Sequence, residues 1–132
     1  GPDHPEVATR CNNLGLALQK ERRHGEAEPL LRRALGIWKK GSATDPASEG
    51  IGLNNLAMLL VEMGRAEEAV SLQRQAIAIL LGLSGGSGKV HANLGGYATN
   101  YFTVCERAGV SRDAARGELN EMGRPFGIAF PA

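Results

Sequence analysis

A stretch of sequence that recurs after 42 residues constrains this chain more than any other feature. The segment NNLGLALQKERRHGEAEPLLRRALGI begins at Asn12, and the related segment NNLAMLLVEMGRAEEAVSLQRQAIAI begins at Asn54. A third and weaker copy follows at an offset of 45 residues, with Asn100 opposite Asn55. Self-similarity at a fixed period is the signature of repeat architectures, in which each unit packs against its neighbours.

Each copy is predicted to form two helices. Apolar residues such as Leu14 and Leu18 recur at intervals of three and four, which is the helical period. Gly64 and Gly109 are placed to end first helices in the left-handed conformation. Asp3-His4 before Pro5 and Asp45 before Pro46 are placed to begin them. No strand pattern is present. We expect helices over residues 5–22, 25–40, 46–63, 66–82, 89–108 and 111–122.

Small residues early in the second helices predict close helix crossings. Ala27, Ala69 and Ala114 share this position in the three copies. A larger side chain there would hold the paired helix beyond the usual spacing of about 8 to 10 Å. The same alignment places Glu118 and Glu121 opposite Gln73 and Ala76, so the last helix is expected to present the polar face of a terminal repeat.

The length of 132 residues suits one domain, and we expect the repeats to fill it. The Gly- and Ser-rich segment 82–88 is expected to be a flexible linker that leaves the third pair loosely oriented. The tail carries Phe126, Ile128 and Phe130 in alternation, which either fold back on the last helix or enter a neighbouring molecule. The predicted units within residues 1–132 are repeat one 4–40, repeat two 45–82, an atypical repeat three 89–122 and an apolar tail 123–132.

Composition and spacing disfavour several classes of function. The net charge is +1 and its sign alternates from repeat to repeat, so no basic stripe predicts nucleic-acid binding. No apolar run approaches the roughly 20 residues that span a bilayer, and no signal peptide is evident. We therefore expect a cytoplasmic protein that binds neither nucleic acid nor membrane.

Chemical sites are equally hard to find in the sequence. Cys11 and Cys105 lack metal-ligand spacing and lie on apolar helix faces, which predicts two buried thiols. The segment 85–89 departs from the phosphate-loop pattern, because Leu83 stands where a glycine is required and Val90 follows Lys89. No histidine has a partner at catalytic spacing. We expect no metal, no cofactor and no enzymatic activity.

A row of polar residues recurs at one register of the first helices. Asn13, Asn55 and Asn100 are equivalent, and Asn12, Asn54 and Thr99 occupy the preceding position. Asparagine is a poor residue for a helix interior, so its recurrence needs a reason. One reason is structural, an amide that bonds to the next helix and helps the repeats to stack. The other is a ligand ladder, since an amide offers both the donor and the acceptor that a peptide backbone requires.

The segments HPEVATRCNNLGLAL and GEAEPLLRRALGI resemble the tetratricopeptide repeat in its 42-residue form, as found in kinesin light chains and many bacterial repeat proteins. The resemblance is strong over residues 4–40 and 54–79, and weak over residues 89–122. It implies an all-α, right-handed α-solenoid of three helix-turn-helix repeats, the third degenerate. In that family the first helices line a concave groove, and asparagines at these two positions contact the backbone of bound peptides.

The resemblance thus implies a non-catalytic protein-protein interaction module that binds a short extended peptide. Val61, one turn before the helix end, is a further candidate for side-chain selection. Carboxylate-clamp members of the family hold an acidic C-terminal peptide with a pair of cations on the third first helix, and here Gly96 and Asn100 occupy those positions, which disfavours such a ligand. The alternative is a structural or self-association segment of a longer solenoid, with a possible homodimer through an unstacked end or the tail. The predicted groove residues are Asn12, Asn13, Leu16, Lys20, Asn54, Asn55, Met58, Glu62, Asn100, Thr103 and Arg107.

Overall fold

The computed structural model describes residues 4–41, 45–85 and 91–131, and these parts of the chain contain helices and no strand. The six α-helices confirm the predicted all-α class and its division into helix pairs. A short 3-10 helix, Arg124–Phe126, follows the last of them. The α-helices are α1 (Pro5–Lys20), α2 (His24–Lys40), α3 (Pro46–Glu62), α4 (Ala66–Gly85), α5 (Leu94–Arg107) and α6 (Arg112–Gly123).

Helices α1, α2, α3 and α6 begin and end within two residues of the predicted bounds, whereas α4 ends later than predicted and α5 begins at Leu94 and not at residue 89. His4 and Asp45 cap α1 and α3 by accepting a hydrogen bond from a backbone N–H two residues on, and a proline follows each cap. Gly64 and Gly109 follow α3 and α5 with φ of 78° and 84°. At both glycines a six-to-one hydrogen bond closes the helix, for example from Arg65 N to Leu60 O at 2.8 Å.

The helices stack in two layers. The first helices α1, α3 and α5 lie side by side, while α2 packs between α1 and α3 and α4 packs between α3 and α5. Leucines of α3 and tyrosines of α5 fill the junctions between pairs, and the predicted burial of Cys11 and Cys105 is confirmed. The fully buried large side chains include Leu31, Leu53, Leu56, Leu60, Leu80, Leu94, Tyr101 and Leu119.

The connection between α4 and α5 differs from the expected flexible linker. Helix α4 continues to Gly85, three residues beyond the predicted end, and residues 91–93 form a turn before α5 begins at Leu94. Ser84 connects the end of α4 to the turn before α5, because its hydroxyl donates to Leu80 O at 2.8 Å and accepts from His91 N at 2.7 Å. Residues 86–90, which include most of the phosphate-loop-like segment, lie outside the described residues.

Helix α5 is also held more firmly than the linker composition predicted. Leu94, Tyr97 and Tyr101 are buried in the core that α5 shares with α4. The expectation of a loosely oriented third pair is therefore wrong for α5. The reason is that the orientation of one helix on the next is determined by the apolar area buried between them, and not by the composition of the segment that connects them.

The sixth helix is shifted by one residue relative to the sequence alignment. Ala114 is exposed, and Ala115 is the fully buried alanine of α6. The turn after Gly109 holds one more residue than the turn after Gly64, and Ser111 uses it to cap α6 through a bond from Ala114 N. The prediction that Ala114 lies at the close crossing is therefore wrong.

The same shift changes what faces the core from α6. Leu119, fully buried, takes the position of Gln73, and half-buried Met122 takes that of Ala76. The predicted equivalence of Glu118 and Glu121 with those residues is wrong, although both glutamates are exposed. An exposed polar face on α6 nevertheless remains.

The pair α5 and α6 is more open than the pairs before it. Gly15 of α1 lies so close to α2 that an added Cβ would stand 2.7 Å from Leu31 Cδ2, and Ala57 has the same position in α3. In α5 the position is taken by Phe102, whose ring lies 4.3 Å from the Arg112 guanidinium carbon. An aromatic ring at a position built for a small residue separates the two helices.

The C-terminal tail folds back on the last pair. Ile128 N donates to Gly123 O at 3.0 Å, and Phe130 N donates to Asn120 Oδ1 at 2.6 Å. Phe130 is 8% exposed and lines a hollow with Phe102, whereas Phe126 is 40% exposed. The sequence left two arrangements open for the tail, and in the structure the tail folds back onto its own chain.

Candidate functional site

The recurring asparagines of the first helices, called here the asparagine row, form the same contact at both junctions between first helices. Asn55 Nδ2 of α3 donates to Asn12 Oδ1 of α1 at 3.1 Å, and Asn100 Nδ2 of α5 donates to Asn54 Oδ1 of α3 at 2.9 Å. Asn12 is buried, and the other three are half-buried. An amide has two donors and two acceptor sites, so one such bond leaves each asparagine with unused capacity.

A buried glutamine supports the second of these pairs. Gln73 of α4 is fully buried, and its Nε2 donates to Asn54 Oδ1 at 2.8 Å and to the backbone oxygen of Tyr97 at 3.1 Å. Its Oε1 is the buried side-chain polar atom without a hydrogen-bond partner among the described residues. Gln73 is not among the predicted site residues, although an amide opposite Leu31 in the repeat alignment was the available signal.

Charged residues gather where α1 and α3 end. Glu62 accepts hydrogen bonds from Gln19 Nε2 and from His24 Nε2, the latter at 3.2 Å. Predicted site residues Leu16 and Lys20 meet Glu62 around one hollow, which Gln19 and Arg22 complete. This hollow is open to solvent and has both an apolar wall and charges of both signs.

The remaining predicted site residues are distributed along the same helices. Asn13 is exposed, and no earlier helix among the described residues pairs with it as α1 pairs with Asn55. Met58 is half-buried against the core. Thr103 donates to Thr99 O at 3.3 Å within α5, and Arg107 is exposed at the end of that helix.

One residue expected to select ligand side chains does not reach the surface. Val61 is 6% exposed and belongs to the core, so the expectation that it faces the groove is wrong. Thr99, which aligns with Asn12 and Asn54, bonds within its own helix through Gly95 O at 3.1 Å. The amide row therefore has two complete pairs, one at each junction.

A closed ring of ion pairs joins the first two repeats away from this row. Arg32 and Arg65 each bridge Glu28 and Glu68, with N–O distances of 2.7 to 2.8 Å. Hydrogen bonds from Arg32 and Arg65 hold the pKa of Glu68 below its ordinary value. Partial burial opposes ionisation of Glu28, but its bonds from the same two arginines outweigh that effect and also lower its pKa.

A second cluster of hydrogen-bonded side chains connects α6 to α4 and α5. Arg74 Nη2 donates to Tyr101 Oη at 3.1 Å, and both side chains bond to Glu118. Burial, followed by the bond to Glu118, raises the pKa of the Tyr101 hydroxyl well above its ordinary value, so this group stays protonated and donates. Burial likewise raises the pKa of the adjacent Cys105 thiol, which makes thiolate chemistry there unfavourable.

Metal binding and membrane insertion find no support in the parts of the chain that the structure describes. No group of three or more His, Cys, Asp or Glu side chains in residues 4–41, 45–85 and 91–131 is placed to hold a metal ion. Across the same residues, none of the helices combines the length and the apolar character needed to cross a bilayer.

Comparison with known proteins identifies the repeat. The sequence profile described as "Tetratricopeptide repeat" matches residues 7–42 and 53–85, more than half of the chain. A segment of 78 residues is 35% identical to the "Regulatory protein AfsR" of Streptomyces coelicolor. That segment is 58% of this chain and 8% of the Streptomyces protein, so the chain spans a small part of its relative.

A solved structure shares the fold. The TPR-like repeats of a Podospora anserina protein described as a kinesin light chain superpose with a TM-score of 0.67 at 23% identity. The match covers 96% of this chain and 58% of the other. At that identity the likeness concerns the helical repeat architecture alone.

Proposed function

We propose that this chain, which belongs to the tetratricopeptide repeat family, binds a short extended segment of a partner protein on its first-helix face. Repeats of this family generally mediate contacts between proteins and are typically non-catalytic. We assign the binding surface to the asparagine row and to the hollow around Glu62. It is supported above all by one observation, the repetition of the same amide pair at two successive junctions.

The chemistry of the row suits a peptide backbone. Each pair bond uses one donor and one acceptor. Half-buried Asn54 keeps N–H donors, and half-buried Asn55 and Asn100 keep both N–H and C=O capacity. Three first helices spaced about 8 to 10 Å apart extend over about 16 to 20 Å. An extended chain rises about 3.3 Å per residue, so five or six residues would fill that distance.

Side-chain selection is assigned to the ends of the row. Leu16 and Met58 offer apolar contact, while Lys20, Glu62 and Arg107 offer charges of both signs. Exposed Asn13 and half-buried Thr103 add polar contacts at the two outer helices. We expect a ligand of mixed character, and not a uniformly acidic one.

The proposal is tested by a peptide-array screen followed by titration of a selected peptide. We expect Asn55→Ala to weaken binding of that peptide by about 1 to 3 kcal/mol, because a polar partner in the complex is left unsatisfied. The free energy of unfolding should change less, since Asn55 is only half-buried. Gln75→Ala removes an exposed amide of α4 and serves as the matched control.

The opposite pattern would assign the row to stacking of the repeats. In that case Asn55→Ala would lower the melting temperature and leave peptide affinity unchanged. Such a result would limit the asparagines to a structural role.

A second candidate function, self-association, is favoured by an open face of α1. Leu14 is 53% exposed, whereas its equivalents Leu56 and Tyr101 are fully buried against the second helix of the preceding repeat. A second copy or a further repeat packing on α1 would cover Leu14 in the same way. Sedimentation distinguishes the two candidates, since a tight dimer that Leu14→Gln dissociates, and that binds no peptide, would favour self-association.

A further inference from the structure

Gln73 places a buried amide where the other two helix pairs have leucine. Its equivalents Leu31 and Leu119 are 1% and 0% exposed, and Gln73 is itself fully buried. Two hydrogen bonds satisfy Nε2, while Oε1 has no partner among the described residues. Burial of an unpaired polar atom is unfavourable, so leucine would be the more stable choice here. An amide retained at such a position calls for a role other than packing.

The partners of Gln73 fix the orientation of the amides beyond it. A backbone carbonyl only accepts, so the Gln73 atom that faces Tyr97 O must be the amide nitrogen. The same nitrogen also faces Asn54, which must therefore present Oδ1. Asn100 meets that oxygen too and must present Nδ2. The orientation of three side-chain amides thus follows from one backbone group.

The hydrogen bonds that run from Tyr97 O through Gln73 to Asn54 and Asn100 form a relay. This relay determines which polar groups remain free for a ligand at the second junction. Asn54 Oδ1 already accepts two hydrogen bonds, which occupy both of its lone pairs. At the half-buried surface Asn54 keeps only the donors of its Nδ2 group, whereas Asn100 keeps its Oδ1 acceptor and the second N–H of its Nδ2 group. A donor on one helix and an acceptor on the next match the C=O and N–H groups of an extended peptide backbone.

We infer that Gln73 is a positioning residue that orients the Asn54–Asn100 pair to capture the peptide backbone with a defined polarity. The ligand carbonyl meets Asn54 and the ligand N–H meets Asn100. This inference rests on the proposed function and adds to it, because reversing the bound segment brings the ligand N–H to Asn54, which has no acceptor left for it. The chain direction of the ligand is therefore selected at this junction.

The first junction provides an internal comparison. The pair of Asn12 and Asn55 has the same polarity, with Asn55 Nδ2 as donor. Its α2 neighbour is Leu31, which cannot orient an amide. We therefore expect the first pair to reorient more freely than the second, and backbone capture to be preorganised mainly at Asn54 and Asn100.

The test compares the wild type with Gln73→Leu and Gln73→Met, two apolar replacements of similar size. Gln75→Leu, at an exposed position of the same helix, is the control. Side-chain ¹⁵N relaxation in the free protein reports how rigidly each asparagine amide is held. Acetyl-pentaglycine-amide serves as the probe, since it offers a peptide backbone without side chains, and its binding is followed at each asparagine NH₂ signal.

We expect both apolar variants to melt at or above the wild-type temperature, because an unpaired buried acceptor is removed. The amides of Asn54 and Asn100 should become mobile, and the probe should bind there about five- to tenfold more weakly, the effect of one lost oriented hydrogen bond. The signals of Asn12 and Asn55 should respond to the probe as before. Stability and binding then move in opposite directions, which a merely structural role for Gln73 does not produce.

Two results would overturn the inference. Rigid Asn54 and Asn100 amides in both variants would show that Gln73 does not orient them. Mobile amides with unchanged probe affinity would show that orientation does not matter for binding. Failure of the proposed function is a separate outcome, in which neither the probe nor any array peptide shifts an asparagine signal of the wild type.

Discussion

Arg22 adopts a backbone conformation that the other two helix pairs give to glycine. Its φ is 66°, and the hydrogen bond from Arg23 N to Leu18 O at 2.9 Å repeats the closure seen at Gly64 and Gly109. The turn therefore forms in the first pair without the residue that best tolerates it. Packing of α1 on α2 outweighs the local preference, since a left-handed non-glycine residue costs only about 1 to 2 kcal/mol.

We expect Arg22→Gly to raise the free energy of unfolding by about 0.5 to 1 kcal/mol. The strain at the Cβ is relieved, and part of that gain is offset by the larger backbone entropy of glycine in the unfolded chain. Chemical denaturation measures the change. Gly64→Ala is the reciprocal control and should destabilise by about 1 kcal/mol, whereas lower stability of Arg22→Gly would contradict the assignment of strain.

At the scale of the helix, the close crossings depend on which alanine faces the paired helix. Ala69 in α4 and Ala115 in α6 are fully buried, and Ala114 is exposed. We expect Ala69→Phe to overpack the crossing with α3 and to cost about 1 to 3 kcal/mol. Thermal denaturation of the variant measures the loss, and an unchanged melting temperature would show that no close crossing exists there.

Because the register of α6 is shifted by one residue, substitutions at two adjacent alanines provide a matched test of which residues form the close crossings. Ala115→Phe should destabilise the chain, and Ala114→Phe should leave the melting temperature almost unchanged because its side chain points to solvent. The two substitutions are adjacent and chemically identical. If Ala114→Phe proved the more harmful of the two, the alignment without the extra turn residue would be the correct one.

The tail contributes a further element through one aromatic side chain. Phe130 is buried and its backbone N–H bonds to Asn120, whereas Phe126 is partly exposed. We expect Phe130→Ala to lower the free energy of unfolding by about 1.5 to 3 kcal/mol, the value of one buried aromatic side chain. Phe126→Ala should cost much less in the same denaturation experiment. Equal effects would mean that the tail does not pack as described.

At the scale of the whole molecule, the ion-pair ring of Arg32, Arg65, Glu28 and Glu68 links the stability of the first two repeats to pH. The carboxyl pKa values are lowered in the folded chain, so the ring stabilises above the ordinary carboxyl pKa of 4.5 and is lost as the pH falls below it. Because three of the four side chains are more than 40% exposed, the effect is modest and is screened by salt.

We expect the double variant Glu28→Gln, Glu68→Gln to melt a few degrees below the wild type near pH 7. The difference should shrink as the pH is lowered below the ordinary carboxyl pKa of 4.5, and it should also shrink in 1 M salt. Glu67→Gln, an exposed neighbour on α4, is the control. A melting difference that does not shrink at all as the pH is lowered would exclude charge on these carboxylates as its origin.

The amino-acid sequence by itself determined the features that depend on local signals. The 42-residue period, the caps at His4 and Asp45 and the turns at Gly64 and Gly109 each follow from a few neighbouring residues, and all appear in the structure. These features are predictable because backbone sterics and hydrophobic periodicity act over one or two helical turns.

Only the tertiary structure decided the features in which separate helices meet. The extra turn residue before Ala115, the burial of Val61, the pairing of Asn54 with Asn100 and the relay through Gln73 each depend on how distant segments are placed. Leu14 shows the reason most directly, because it has the same residue type as Leu56 and yet is exposed. Whether a side chain is buried or paired depends on the helix that packs opposite it. The residues next to that side chain in the sequence do not determine which helix this is.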